Sequence, residues 1–301
     1  MLFDPNYLSG LVASVDQSSN VESKLTAELS SGLRVTSLQD DPGAAANAAM
    51  IGSAIARDDS YVQSATGTQA MLQVADSTLG EVVTQVTSAL TLAVQGSNGT
   101  LNASNKAAVV QQLTGIRDQV LSLANTSYLG QHLFGGSQGS APPFSLDTST
   151  VPATTIYSGD TNVQSIETPT GQKVQVSIPG STIFGGNGPG VLTALNQLIA
   201  DISGGAATAT VTSDGSALNT ALGQVSSQRS ILDSSLSRIQ QTSTYTQTEE
   251  SQLTVQQGSL VSADMATVAT QLSSSETQHQ ALLSVMNALG GSNNDLFSYM
   301  R

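Results

Sequence analysis

The chain has 301 residues, with 9 Lys and Arg against 22 Asp and Glu, a formal charge of −13, and no cysteine. Such a balance repels phosphate and so disfavours nucleic acid and anionic membranes as partners, and the missing thiols exclude disulfides, thiolate metal sites and cysteine nucleophiles. Aromatics are only 4% of the chain and tryptophan is absent, less aromatic bulk than a large compact core normally uses.

The opening stretch, MLFDPNYLSGLVASVDQ, has neither a basic n-region nor an apolar h-region, so no cleaved signal peptide is expected. No apolar run approaches ~20 residues, so no transmembrane helix is expected either. Leu8, Leu11, Val15, Ser18, Glu22, Leu25 and Leu29 alternate spacings of three and four, a heptad seam with two polar positions. The helix pattern then breaks at 30-SSGLRVTSLQDDPGAAANAAM-50. Pro42 suits the first turn of a new helix, and Asp40 or Asp41 can cap it and sit against its positive end. The alanines after Gly43 leave room for another helix to approach closely.

A second seam runs Ile51, Ile55, Asp58, Val62, Ala65, Gln69, Leu72, Asp76, Leu79, Val83, Val86, Leu90 and ends in the turn 95-QGSNGT-100. The adjacent pair Asp58 and Asp59 reads as a solvated face. A third helix carries Val109, Leu113, Ile116, Val120 and Leu123, with Asn102 or Ser104 as its cap. Six of the eight prolines then fall between Pro142 and Pro189, and short alternating runs such as 151-VPATTIYSGD-160 and 172-QKVQVSIPG-180 appear. These mark a small β domain with tight turns. An amphipathic helix, 191-VLTALNQLIADI-202, closes it, and 203-SGGAATATVTSDG-215 reads as a flexible link.

The longest seam follows: Leu218, Leu222, Val225, Arg229, Leu232, Leu236, Ile239, Ser243, Thr246, Glu250, Leu253, Gln257, Leu260. At ~1.5 Å per residue it spans roughly 65 Å. Past Gly258 the register shifts by one, to Val261, Met265, Val268, Leu272, Ser275, His279, Leu282, Met286 and Leu289. The expected fold is mainly α with an inserted small β domain, built as elongated nested rods. Residues 1–40 pair with 261–301, residues 41–130 pair with 190–260, and 131–189 form the insertion. Asp40, Asp41, Pro42, Gly43 and Gly258 mark the joint between terminal and central rods.

The run LSSGLRVTSLQDDPGAAANAAM resembles the N-terminal signature of the flagellin superfamily, and 260-LVSADMATVATQLSSSETQHQALLSVMNAL-289 is similar to that family's closing helix. The series 128-YLGQHLFGGSQGSAPPF-144 and 156-IYSGD-160, with the ending NDLFSYMR, resembles the hook–filament junction branch of the superfamily. The resemblance implies a structural, non-enzymatic axial subunit of the bacterial flagellum. It implies export through the flagellar type III channel, which needs no cleaved signal, and an extracellular place where hook meets filament. The partners it implies are hook-associated protein 1, flagellin, further copies of the chain in a ring, and an export chaperone on the C-terminal helix. It implies no cofactor and no metal. The assembly interface expected from the seams and the break comprises Leu8, Leu11, Val15, Leu25, Leu29, Leu33, Arg34, Met265, Val268, Leu272, Leu282, Met286 and Leu289.

Two other readings compete. A flagellin that builds the filament itself would share the same seams. A stalked secreted hydrolase or adhesin would need convergent groups in the insertion, where His132, Asp147, Asp160 and Glu167 have no recognisable spacing. His132 and His279 read as surface or seam residues. The glycine runs 135-GGSQG-139 and 185-GGNGPG-190 read as turns. The sequons at 98–100, 102–104 and 125–127 are expected by chance in so Ser-, Thr- and Asn-rich a chain.

Overall fold

The computed structural model describes residues 5–186 and 188–298, with side chains placed over 9–186 and 188–288. The chain is mainly α with a small β insert. Helices α1 (Pro5–Ser31), α2 (Pro42–Gly96) and α3 (Ala103–Ala124) precede six short strands. These are β1 (Ser127–Tyr128), β2 (Gln131–His132), β3 (Phe144–Asp147), β4 (Thr154–Tyr157), β5 (Ser165–Glu167) and β6 (Lys173–Gln175). Helices α4 (Ser181–Phe184), α5 (Val191–Ser203), α6 (Thr208–Val261) and α7 (Met265–Ser298) complete it. No described helix is long and apolar enough to cross a membrane.

The chain divides into two compact units, one from Met1–Ala56 with Glu249–Arg301 and the other from Arg57–Thr248. In the first, α1 packs against α7. The 4–3 seam decides which faces meet. Leu25 and Val268 are buried, while Leu11, Val15, Ser18, Glu22, Leu29, Leu272, His279, Leu282 and Met286 are half-buried between exposed neighbours.

In the second unit one core runs from the helices into the insert. Leu72, Leu79, Leu113, Leu218 and Ile239 join Phe134, Phe184, Leu192 and Leu195 in it. The strands form three separate antiparallel pairs, with Phe144 opposite Tyr157 and Ser165 opposite Gln175. Two-stranded pairs are marginal alone; ring contacts support β3–β4, and Val174 ties β6 to the core. Phe134 and Phe144 each meet Phe184 edge-on, at 5.2 and 5.3 Å between centroids, and Phe144 lies 4.8 Å from Tyr157. The motif residues of the insert also converge. The Tyr157 hydroxyl donates to the carbonyls of Phe134 and Asp160. The Asp160 carboxylate accepts from the backbone and hydroxyl of Ser137 and from Asn162.

Three expectations are corrected. The segment 203–215 is not a flexible link, because α6 begins at Thr208 and buries Val211 and Asp214. Burial overrides the weak helix preference of its Thr and Ser residues. The true connection is Gly204–Ala207, where Gly205 takes φ +71° and its N–H reaches the Ile202 carbonyl, a glycine stop for α5. Asp58 does not share the solvated face of Asp59. It is 7% exposed, because its seam spacing with Ile55 and Val62 turns it inward. Asp59 is exposed and accepts from Gln63. Gly258 is no break: α6 continues through it to Val261, and the chain leaves the helix only at Ser262–Asp264.

Candidate assembly site

The break after α1 is a knot of hydrogen bonds. Ser31 ends the helix, and Gly32 turns with φ +72°. From there the backbone runs against the end of α6. Leu33 and Ser262 form an antiparallel bridge, Arg34 N–H donates to the Val261 carbonyl at 2.7 Å, and Ala263 N–H donates to Gly32 at 2.9 Å. These bonds satisfy polar groups that a helix end otherwise leaves open.

The two adjacent aspartates divide the work. Asp41 is the cap of α2: its Oδ1 accepts the Ala44 N–H at 3.0 Å, with Pro42 in the first turn. Asp40 folds the preceding turn. Its Oδ2 accepts four bonds, from the N–H and hydroxyl of both Thr36 and Ser37, at 3.0–3.1 Å. Those bonds, Thr36 N–H first, hold its carboxyl well below the usual carboxylate range. The Asp41 carboxyl is lowered as well, first by the Ala44 N–H.

Each aspartate also meets a cation. Lys24 Nζ lies 3.4 Å from Asp40, and Arg34 Nη1 lies 3.3 Å from Asp41 Oδ2. The second Arg34 nitrogen donates to the Leu260 carbonyl at 3.1 Å. One guanidinium thus ties the start of α2 to the last turn of α6, where helix carbonyls favour positive charge. Small residues allow the same helices to approach. Ala44 and Ala48 are buried, the Gln257 side chain donates to the Ala48 carbonyl at 2.9 Å, and a Cβ on Gly52 would meet that amide at 3.0 Å. Asp264 starts α7, accepting from Ala266, Thr267 N–H and the Thr267 hydroxyl.

Beyond the knot, the α1–α7 coil carries a polar level. Ser275 is buried, and Ser18 Oγ, Glu22 Oε1 and His279 Nδ1 are shielded from solvent with no hydrogen-bond partner among the described residues. Polar groups at core positions cost coiled-coil stability while fixing register.

Of the expected interface residues, Leu11, Val15, Leu25, Leu29, Val268, Leu272, Leu282 and Met286 lie along the α1–α7 pair. Leu33, Arg34 and Met265 are exposed at the knot, Leu33 at 37% and Met265 at 44%. The side chains of Leu8 and Leu289 lie outside the described residues. Gly43 adjoins the cap, and Gly258 serves the knot only through its carbonyl, which accepts from Ser262. Sequence reasoning missed Val35, buried at 6%, and the role of Lys24. A signal for the second existed: Lys24 and Arg34 are the only cations among the first fifty residues. It also missed exposed Leu38, Met50 and Val255, which lie off the seams.

In the insert, His132 Nδ1 lies 2.7 Å from the Asn125 carbonyl, Asp147 is engaged by Ser149, and Asp160 by Ser137 and Asn162. No two of His132, Asp147, Asp160 and Glu167 bond each other among the described contacts. A cavity of about 200 Å³ lies beside His132, floored by Leu72, Phe134, Val176 and Leu232.

The chain matches the family model for the bacterial flagellin N-terminal helical region over residues 9–139 and the model for the C-terminal helical region over 216–300. It is similar to flagellar hook-associated protein 3 of Salmonella typhimurium, 36% identical over 122 residues, which are 40% of this chain and 38% of that protein. With the Escherichia coli protein of the same name the identity is 34% over 123 residues, 40% of this chain and 39% of that protein. The match thus spans about two fifths of the length of these curated relatives. Among solved structures, a flagellar hook-associated protein from Vibrio parahaemolyticus superposes with TM-score 0.64 at 20% identity, covering 74% of this chain and all of that one. FlgL from Xanthomonas campestris gives 0.62 at 17% identity, covering 69% of this chain and 99% of that one. At these identities the likeness is one of fold.

Proposed function

Because the chain belongs to the flagellin superfamily, we propose that it is a structural axial subunit of the bacterial flagellum, joining the hook to the filament. The observation that carries this reading is the pairing of the first and last helices into a coil that is incomplete by itself. Most of its seam residues stay half-buried, and it shields Ser18, Glu22 and His279 groups that have no partner among the described residues. Such a coil gains order when neighbouring copies cover it, since each fully buried Leu, Val or Met contributes ~1.5–3 kcal/mol before ordering costs.

The junction role, rather than that of filament flagellin, is supported by the names of the curated relatives and by the insert motif residues Phe134, Phe144, Tyr157 and Asp160, which close on one another. On this reading residues 1–40 with 261–301 assemble the axis, 41–130 with 190–260 form the middle layer, and 131–189 face outward. The partners are hook-associated protein 1, flagellin and further copies in a ring. An export chaperone holds the C-terminal helix before secretion through the type III channel, and the activity is structural rather than enzymatic.

The test is immunogold electron microscopy of intact flagella with antibody against residues 140–190. A single band where hook meets filament is expected. Label along the whole filament would make the chain a flagellin, and label absent from every flagellum would overturn the axial reading.

A further inference from the structure

We propose that Asn98 is a site of spontaneous covalent modification, at which the Gly99 backbone nitrogen attacks the Asn98 side-chain carbonyl carbon and converts the residue to aspartate and isoaspartate.

Asn98 is exposed in the turn between α2 and α3. Its successor is glycine, which has no side chain to shield the backbone nitrogen. That N–H makes no hydrogen bond among the described residues, whereas the N–H groups of Ser97, Asn98 and Leu101 are each engaged. Space around Gly99 is open as well: a Cβ there would meet only the Thr208 hydroxyl, at 3.5 Å.

The side-chain carbonyl is also prepared. Asn98 Oδ1 accepts the Thr100 N–H at 3.1 Å and the Thr100 hydroxyl at 2.8 Å. Attack at the carbonyl carbon throws negative charge onto that oxygen. Two donors at about 2.7–3.1 Å are the arrangement that stabilises such an oxyanion elsewhere. Other asparagines differ. Asn125 has both polar atoms committed to Phe144, Asn102 caps α3 and precedes alanine, and Asn196 is buried. Asn187 also precedes glycine but lies outside the described residues.

The atoms balance without an oxidant or enzyme. The Gly99 nitrogen loses its proton to base and forms a bond to Asn98 Cγ; the Cγ–Nδ2 bond then breaks as Nδ2 takes up a proton from the conjugate acid or water and departs as ammonia. One water opens the resulting cyclic imide at either carbonyl. Each event adds one negative charge. The isoaspartate product also lengthens the backbone by one carbon inside the turn, where Leu101 N–H now donates to the Asn98 carbonyl at 3.1 Å.

The test follows the peptide containing Asn98 by mass mapping during incubation of the full chain in mildly alkaline buffer, folded and in urea. Peptide mapping separates this site from Asn187. The folded chain is expected to convert at least as fast as the unfolded one. Thr100→Val is expected to slow it roughly fivefold in the folded chain, the worth of one hydrogen bond, with no effect in urea, and Thr100→Ser to restore the rate. Circular dichroism melting of the Val variant confirms that it folds. Asn98 persisting in the folded chain while the unfolded chain converts would overturn the proposal. So would a Thr100→Val rate equal to wild type.

Discussion

The guanidinium of Arg229 meets the Asp76 carboxylate through two bonds, Nε to Oδ1 at 2.7 Å and Nη2 to Oδ2 at 3.1 Å. The pair joins α6 to α2, 153 residues apart in sequence. Both residues occupy seam positions, and their side chains keep 33% and 27% of their exposure. A bidentate pair in a partly buried seam is worth more than a surface ion pair. Asp76→Ala is expected to destabilise the chain by about 1–2 kcal/mol, and Arg229→Ala by a similar amount. The double variant should cost less than the sum by about 1 kcal/mol. Urea unfolding of the four proteins measures this, and additive losses would mean the pair contributes nothing specific.

Arg34 and the two aspartates have separable roles. Asp41→Ala removes the α2 cap and should lower the melting temperature. Arg34→Lys keeps the charge, yet it cannot hold Asp41 and the Leu260 carbonyl together. Both Arg34→Lys and Arg34→Ala are therefore expected to impair assembly and motility while leaving the Arg57–Thr248 unit folded. Motility assays beside helicity measurements decide it; normal swimming in Arg34→Ala cells would show the guanidinium to be dispensable.

The seams announced the helices because period and burial agree there: apart from Glu28, the half-buried positions of α1 and α7 among the described side chains are those that spacing alone selects. Where sequence and structure part, a distant partner decides. Val211 and Asp214 extend the three–four spacing back from Leu218, but the glycines and the Thr- and Ser-rich composition of 203–215 hid that they are buried. Gly258 marked a register shift, yet α6 runs on through it to Val261, since a glycine inside a helix costs only about 1 kcal/mol. The joint was legible as a double aspartate before a proline; that Asp40 would take four donors and Asp41 the cap was not, because either residue can cap. The position of Arg34 was legible, but its bond to a carbonyl 226 residues away was not.

Asp214 provides a pH signature. Burial first, then the neighbouring Asp201 carboxyl, pushes its pKa up to about 6. The fold therefore favours the protonated acid more than the unfolded chain does, where aspartate titrates near 3.9. The contribution is fully present below about pH 4 and is lost as pH rises through about 6. Asp214→Asn should remove this slope and raise the melting temperature more at pH 7 than at pH 4.5. Equal shifts at the two pH values would refute the assignment.

Asn125 presents its amide to Phe144 as a strand would, donating to its carbonyl and accepting its N–H, both at 2.9 Å. Asn125→Ala leaves two backbone groups unpaired near the aromatic cluster and should cost about 2–3 kcal/mol. Hydrogen exchange at Phe144 and Tyr157 is expected to accelerate. Unchanged protection would show that ring packing alone holds β3.

The polar level of the terminal coil gives a stabilising variant. Glu22→Leu with His279→Leu replaces shielded, unpartnered groups by apolar ones, which is expected to be favourable. The ends of the free chain, expected to be cut readily by trypsin and chymotrypsin, should then resist brief digestion. Cleavage as fast as wild type would argue that the polar level is not what weakens the coil.

Helix α1 packs against α7, with all of α2 to α6 between them in the chain. In polymer terms this closure is cheap, since each doubling of a loop adds only about 0.6 kcal/mol. In kinetic terms it is slow, because contacts of high sequence separation form late. A chain emerging from the ribosome therefore carries α1 without this partner until α7 follows, and removing either helix deprives the other of its mate.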